Sequence, residues 1–185
     1  MIEYIPKEFH NVKLGFYESE ENVCTPHFSD SLSKNRSQIV INVPQKVICN
    51  KEDSLVIPLC CVYLFSERRV VKYANSSITI IYIKKMGEDI VYQGTVIDLN
   101  AKNKHPYRPP NYKEQEERRQ QEIKAAQKYS DDELDEEDGF YLGENINVDI
   151  VKYVKTSFET GIYEVYVAKS GMESNHVKVE ILIKE

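Results

Sequence analysis

The strongest constraint in the chain is the strict alternation of its last stretch, GIYEVYVAKSGMESNHVKVEILIKE, from Gly161 to Glu185. Tyr163, Val165 and Val167 fall on one side of an extended backbone, with Glu164, Tyr166 and Ala168 on the other. After a polar break at 169–174, Val177, Val179, Ile181 and Ile183 repeat the pattern against His176, Lys178, Glu180 and Lys184. A period of two on both sides of a short turn predicts a hairpin with one buried face.

From Ser37 the same signal runs through the first half. Ile39, Ile41 and Val43 alternate, Pro44 interrupts, and Val47-Ile48-Cys49 resumes. A proline in such a run marks an edge strand or a switch between sheets. LVIPLCCVYLF, from Leu55 to Phe65, is apolar without alternation, which predicts a central strand or one kinked at Pro58. SERRVVKYANSS reads as a loop with a short strand. SSITIIYIKKM and IVYQGTVIDL, joined at Gly87-Glu88-Asp89, read as a second hairpin, with Ile78, Ile80 and Tyr82 set against Val91 or Val96. Ile146, Val148 and Ile150 alternate in a strand ahead of the final hairpin. Seven to nine strands in all predict an all-β fold.

Between the two β-rich runs, residues 101–140 break the pattern. AKNKHPYRPPN is a proline-rich hinge, and 112–129 has helix-former composition with almost no apolar stripe. Seven acids follow among the eight residues Asp131–Asp138. Residues 111–138 carry five Lys/Arg against eleven Asp/Glu, which leaves nineteen of each sign elsewhere and assigns the whole net charge of −6 to this segment. A neutral body with an acidic insertion argues against direct nucleic-acid binding. Residues 1–36 read as an extended N-terminal arm, and 37–185 as a β-domain interrupted by 101–140. No apolar run approaches the roughly 20 residues of a membrane span, and the start lacks the pattern of a signal peptide. The expected location is cytoplasmic, or the virion for a viral chain. Cys24, Cys49, Cys60 and Cys61 accordingly read as free thiols.

Glu159-Thr160-Gly161-Ile162-Tyr163 matches D-x-G-x-Y with Glu for Asp, the approach to a tyrosine corner. On this motif and the strand spacing the chain resembles immunoglobulin-like β-sandwiches over 37–100 and 141–185. The resemblance implies an antiparallel sandwich in which Gly161 and Tyr163 are structural and the Tyr163 hydroxyl ties the corner to upstream backbone. Val165 stands where an antibody domain has its second cysteine, and tryptophan is absent. The likeness is therefore to disulfide-free bacterial or viral members of the class, and it is one of fold, which does not carry function.

Chemistry-bearing patterns are sparse. Cys24-Thr25-Pro26-His27 has C-x2-H spacing with no second half-site, and the acidic run fails as a calcium loop because Leu134 and Asn145 fall on ligand positions. No nucleophile motif or phosphate loop is present, and the four histidines are scattered. The expectation is therefore no catalytic residue, metal or cofactor, and not an enzyme. It is instead a structural or interaction subunit of a larger assembly such as a phage or virus particle, bound to other protein subunits or to copies of itself. Arm aromatics Tyr4, Phe9, Phe16 and Phe28 would enter a partner groove, and the acids Asp131, Asp132, Glu133, Asp135, Glu136, Glu137 and Asp138 would face a basic surface. One alternative is a cytoplasmic regulator or immunity-type inhibitor whose acidic run mimics an anionic ligand. Another is a carbohydrate-binding sandwich stacking Tyr92, Tyr107 or Tyr166 on sugar. Ser130, ahead of the acids, reads as an acid-directed phosphorylation site, and Pro106–Pro109 fits P-x-x-P.

Overall fold

The structure is a computed structural model that describes residues 1–15, 24–26, 37–76, 78–97, 111–135 and 141–185. Short strand β1 (Glu3–Ile5) leads into a 3₁₀ turn at Lys7–Asn11. β2 (Gln38–Asn42) and β3 (Lys46–Asn50) flank Pro44, and β4 (Pro58–Ser66) runs directly into helix α1 (Glu67–Lys72). The hairpin β5 (Thr79–Lys85) and β6 (Val91–Val96) follows. Helix α2 (Tyr112–Ala126), a 3₁₀ turn at Asp132–Asp135, β7 (Tyr141–Asp149) and the short helix α3 (Ile150–Tyr153) come next. β8 (Gly161–Lys169), β9 (Met172–Glu173) and β10 (Val177–Lys184) end the chain.

Two sheets form. The larger has the order β1-β3-β10-β8-β5-β6 with β9 beside β8, and the smaller is β2-β4-β7. All pairings are antiparallel except β3 with β10. β2 and β3 lie in different sheets, so the chain changes sheet at Pro44, where a missing N–H costs no ladder bond. β4 is the centre of the smaller sheet, which explains its run of apolar residues without alternation.

The sheets share one core. Ile39, Ile41, Leu59, Cys61, Tyr63, Ile146 and Val148 of the smaller sheet meet Val47, Ile81, Ile83, Tyr163, Val165, Val167, Val179 and Ile181 of the larger. Each fully buried aliphatic contributes about 1.5–3 kcal/mol relative to exposure. The C-terminal hairpin buries the face expected of it.

Several expectations are corrected. Residues 67–72 are helical, not a loop with a strand, because Ser66 caps them: its Oγ accepts from Arg69 N at 3.2 Å. In β5 the core face is Ile81 and Ile83, while Ile78, Ile80 and Tyr82 point outward. Apolar residues occupy both faces of β5, so alternation alone could not choose between them. Pairing with β8, which sets Ile81 opposite Val167 and Ile83 opposite Val165, makes the choice. Ile150 starts α3 instead of ending β7, since Asp149 accepts from Val151 N at 3.1 Å as its cap. The same carboxylate accepts from Ile57 N at 3.0 Å, and its burial raises its pKa.

Residues 1–15 are not an extended arm. β1 pairs with β3, Tyr4 donates to Val56 O, Phe9 is buried, and Gly15 bridges to Asn147. The cysteines are not four free thiols either: Cys24 is joined to Cys60, while Cys49 and Cys61 are free and buried.

Candidate functional site

A concavity among the described residues lies at the corner where β8 begins. The β5–β6 turn supplies Lys85 and Glu88, β6 supplies Tyr92, and the approach to β8 supplies Thr156, Ser157, Glu159 and Tyr163, enclosing about 270 Å³. Gly87 allows the turn with φ at +90°. Tyr163 is buried, and its hydroxyl accepts from Glu159 N and donates to Glu159 O, both at 3.0 Å. That is the corner expected from the motif. A Cβ at Gly161 would stand 3.1 Å from Lys85 Cε, the far end of a flexible side chain.

Lys85 crosses the cleft between two carboxylates, 2.8 Å from Glu159 and 3.2 Å from Glu88. The hydrogen bond to Glu159 raises the lysine pKa, and Lys85 in turn lowers that of Glu159. Both shifts move away from neutrality, as expected of a lysine held as an ammonium between two carboxylates. Replacing Tyr163 by phenylalanine removes both corner bonds and strands the Glu159 N–H. The expected loss is about 1–3 kcal/mol in urea unfolding, with the fold retained by circular dichroism.

The acidic segment is tied to the body at its start. Lys72 Nζ lies 2.6 Å from Asp131 Oδ1, and Tyr73 OH donates to the same carboxylate. Arg69, itself buried, donates to Asp131 O and to Ser170 O, and Ser66 Oγ donates to Leu134 O at 2.7 Å. Leu134 is fully buried. Glu133 folds back to accept from both Ser130 N and Ser130 Oγ, which occupies the hydroxyl. Of the acids expected to face a partner, Asp131 and Glu133 thus serve this chain's own 3₁₀ turn, and Asp132 is exposed. Asp135 closes the turn. Glu136, Glu137 and Asp138 lie outside the described residues, as do Phe16, Phe28 and Tyr107. Tyr4 and Phe9 fill this chain's own core and are not available to a groove in another protein.

A pH test follows. The Lys72 hydrogen bond lowers the Asp131 pKa, and the Ser130 amide lowers that of Glu133. Groups depressed on folding add stability above their unfolded pKa values and lose it as the pH falls through the folded ones. Asp149 has the opposite sign, its contribution declining as the pH rises from its unfolded value. The melting temperature is expected to fall from about pH 5 to pH 3. Asp131→Asn should flatten that slope, and an unchanged slope would contradict the assignment.

The β5–β6 hairpin, its flanks and the start of β8 carry large exposed apolar side chains. Ile78, Met86, Ile90, Val91, Ile97 and Ile162 are each 45–57% exposed. Met86 N donates to Ile162 O at 2.8 Å, which joins the β5–β6 turn to the start of β8. Between the two apolar ends stands a stack, Tyr82 on Tyr166 at 4.8 Å and Tyr166 on His176 at 4.3 Å, with interplanar angles of 9° and 2°. Both faces of the Tyr166 ring are thereby covered, while Tyr92 is half-buried and lines the corner cleft. Among the described residues no group of three or more His, Cys, Asp or Glu is placed to hold a metal ion, and no helix is long and apolar enough to cross a membrane. No protein-family model, curated protein or solved structure matches this chain.

Proposed function

We propose that the chain is an immunoglobulin-like β-sandwich that serves as a non-enzymatic interaction subunit of a larger assembly, and that it binds through the outward side of the β5–β6 hairpin. Two features support the fold reading. In this reading β4 and β7 correspond to B and E of the class, and β5, β8 and β10 to C, F and G, with β6 added beside C; the strand order β10-β8-β5-β6 and β2-β4-β7 supports it. Tyr163 sits near the start of the strand corresponding to F and makes the corner bonds. Residues 101–140, between β6 and β7, are then an insertion.

The observation that carries the binding reading is the concentration of six large, exposed apolar side chains on one hairpin and the strand next to it. Scattered singly, such residues need no explanation; grouped on a rigid sheet, they mark a contact surface. The groups with chemistry are meanwhile neutralised internally, Lys85 by Glu88 and Glu159, and Asp131 by Lys72. A photo-crosslinking residue placed at Val91 in the source cells should yield a discrete adduct, whereas the same residue at Lys113 on the polar helix α2 should not. Absence of any adduct from Val91, or an equal one from Lys113, would overturn the reading.

A further inference from the structure

A sheet that ends in an unpaired strand offers a row of free backbone N–H and C=O groups, and natural proteins cover or blunt such edges. The two sheets have four edges, and three are managed. β1 is only three residues long, carries Glu3 and runs into Pro6. On β2 the Asn175 amide takes both free groups of Ile41, accepting from its N–H at 2.8 Å and donating to its carbonyl at 3.0 Å. On β7 Asn147 exchanges both backbone bonds with Gly15, at 2.7 and 3.3 Å.

The fourth edge, β6, has no such backbone cover: among the described residues, no backbone group pairs with it on the side away from β5. The sequence does not blunt it either. Residues 90–97 read Ile-Val-Tyr-Gln-Gly-Thr-Val-Ile, with no charge and no proline. Three of the exposed apolar side chains, Ile90, Val91 and Ile97, belong to this short stretch.

We propose that β6 pairs antiparallel with β6 of a second copy of this chain, about a two-fold axis at Gly94. This names the partner for the interaction surface described above and rests on that reading. An isologous contact sets each residue against its symmetry mate, so the strand must complement itself. About Gly94 it does. On the outward face Val91 meets Ile97 of the partner subunit, and Gln93 meets Thr95 of the partner subunit. On the inward face Tyr92 meets Val96 of the partner subunit. Shifting the centre by one residue puts Val91 against threonine or Gln93 against isoleucine. Charge allows the same place: the net charge of −6 belongs to 111–138, and residues 90–97 carry none, so like charges do not oppose the pairing along this strand.

The test is the mass of the purified full-length chain by light scattering across a concentration series. The expected value is twice the 21.5 kDa of one chain. Gln93→Lys with Thr95→Lys, both at exposed positions, should keep the circular dichroism spectrum and weaken the dimer about 100-fold, since it gathers four like charges at the axis. Gln93→Cys with Thr95→Cys should give a dimer that survives denaturation until it is reduced. A single-chain mass at every concentration, or a dimer indifferent to the lysines and not trapped by the cysteines, overturns the pairing. A single-chain mass together with a Val91 adduct to another protein overturns this pairing alone and leaves the interaction reading standing.

Discussion

Replacing Gly94 by alanine is expected to destabilise the protein by about 3 kcal/mol or more, the upper range for overpacking a well-filled core. A Cβ at Gly94 would overlap the Tyr153 carbonyl oxygen and stand 2.5 Å from its carbon and 2.8 Å from Val154 N. These are backbone atoms, held where α3 crosses the inward side of β6, and they cannot rotate away as a side chain would. Either β6 or α3 must shift. α3 is in turn fixed by Asp149, which bonds both Val151 N and Ile57 N. For a chain of this length the loss corresponds to a fall of about 6–12 °C in melting temperature. Gly143→Ala is the control: a Cβ there meets nothing closer than Tyr63 O at 3.7 Å, an ordinary contact, and the change should be within about 1 kcal/mol. Equal effects at the two glycines would contradict the packing described.

Opening the Cys24–Cys60 bond is expected to cost about 3–4 kcal/mol, from the entropy regained by an unfolded chain no longer closed over a separation of 36 residues. That is a large part of the 5–15 kcal/mol by which a domain is stable. Both half-cystines are buried, and the Asn42 amide also holds Cys24 by its carbonyl at 3.1 Å. Reductant should shift the urea midpoint of the wild type to that of Cys24→Ser and leave the variant unmoved. Alkylation in denaturant without reductant should modify two of the four cysteines, Cys49 and Cys61. Modification of all four would show that the bond does not form.

Sequence legibility tracked distance along the chain. The final hairpin and the Tyr163 corner could be read because alternation and a five-residue motif are local. Helix α1 had a local signal as well, Ser66 followed by Glu67, but two adjacent valines, Val70 and Val71, favoured a strand over the cap. The anchoring of Asp131 was out of reach, since Arg69, Lys72 and Tyr73 come from about 60 residues upstream. So was the Cys24–Cys60 pairing, because four cysteines without a framework allow several connectivities and none. The candidate surface was hidden for a different reason. β5 is apolar on both faces, and only its neighbour β8 decides that Ile81 and Ile83 go inward and leave Ile78 and Tyr82 outside.

Two sheets closing over one core would hold the outward face of the β5–β6 hairpin rigid, as the proposed binding requires. Native-state hydrogen exchange tests this most directly. The slowest amides of β4 in the smaller sheet and of β8 in the larger should report the same opening free energy, within about 1 kcal/mol, and the same dependence on denaturant. If one sheet opens several kcal/mol below the other, with a smaller denaturant dependence, the molecule has two separable cores and the account fails.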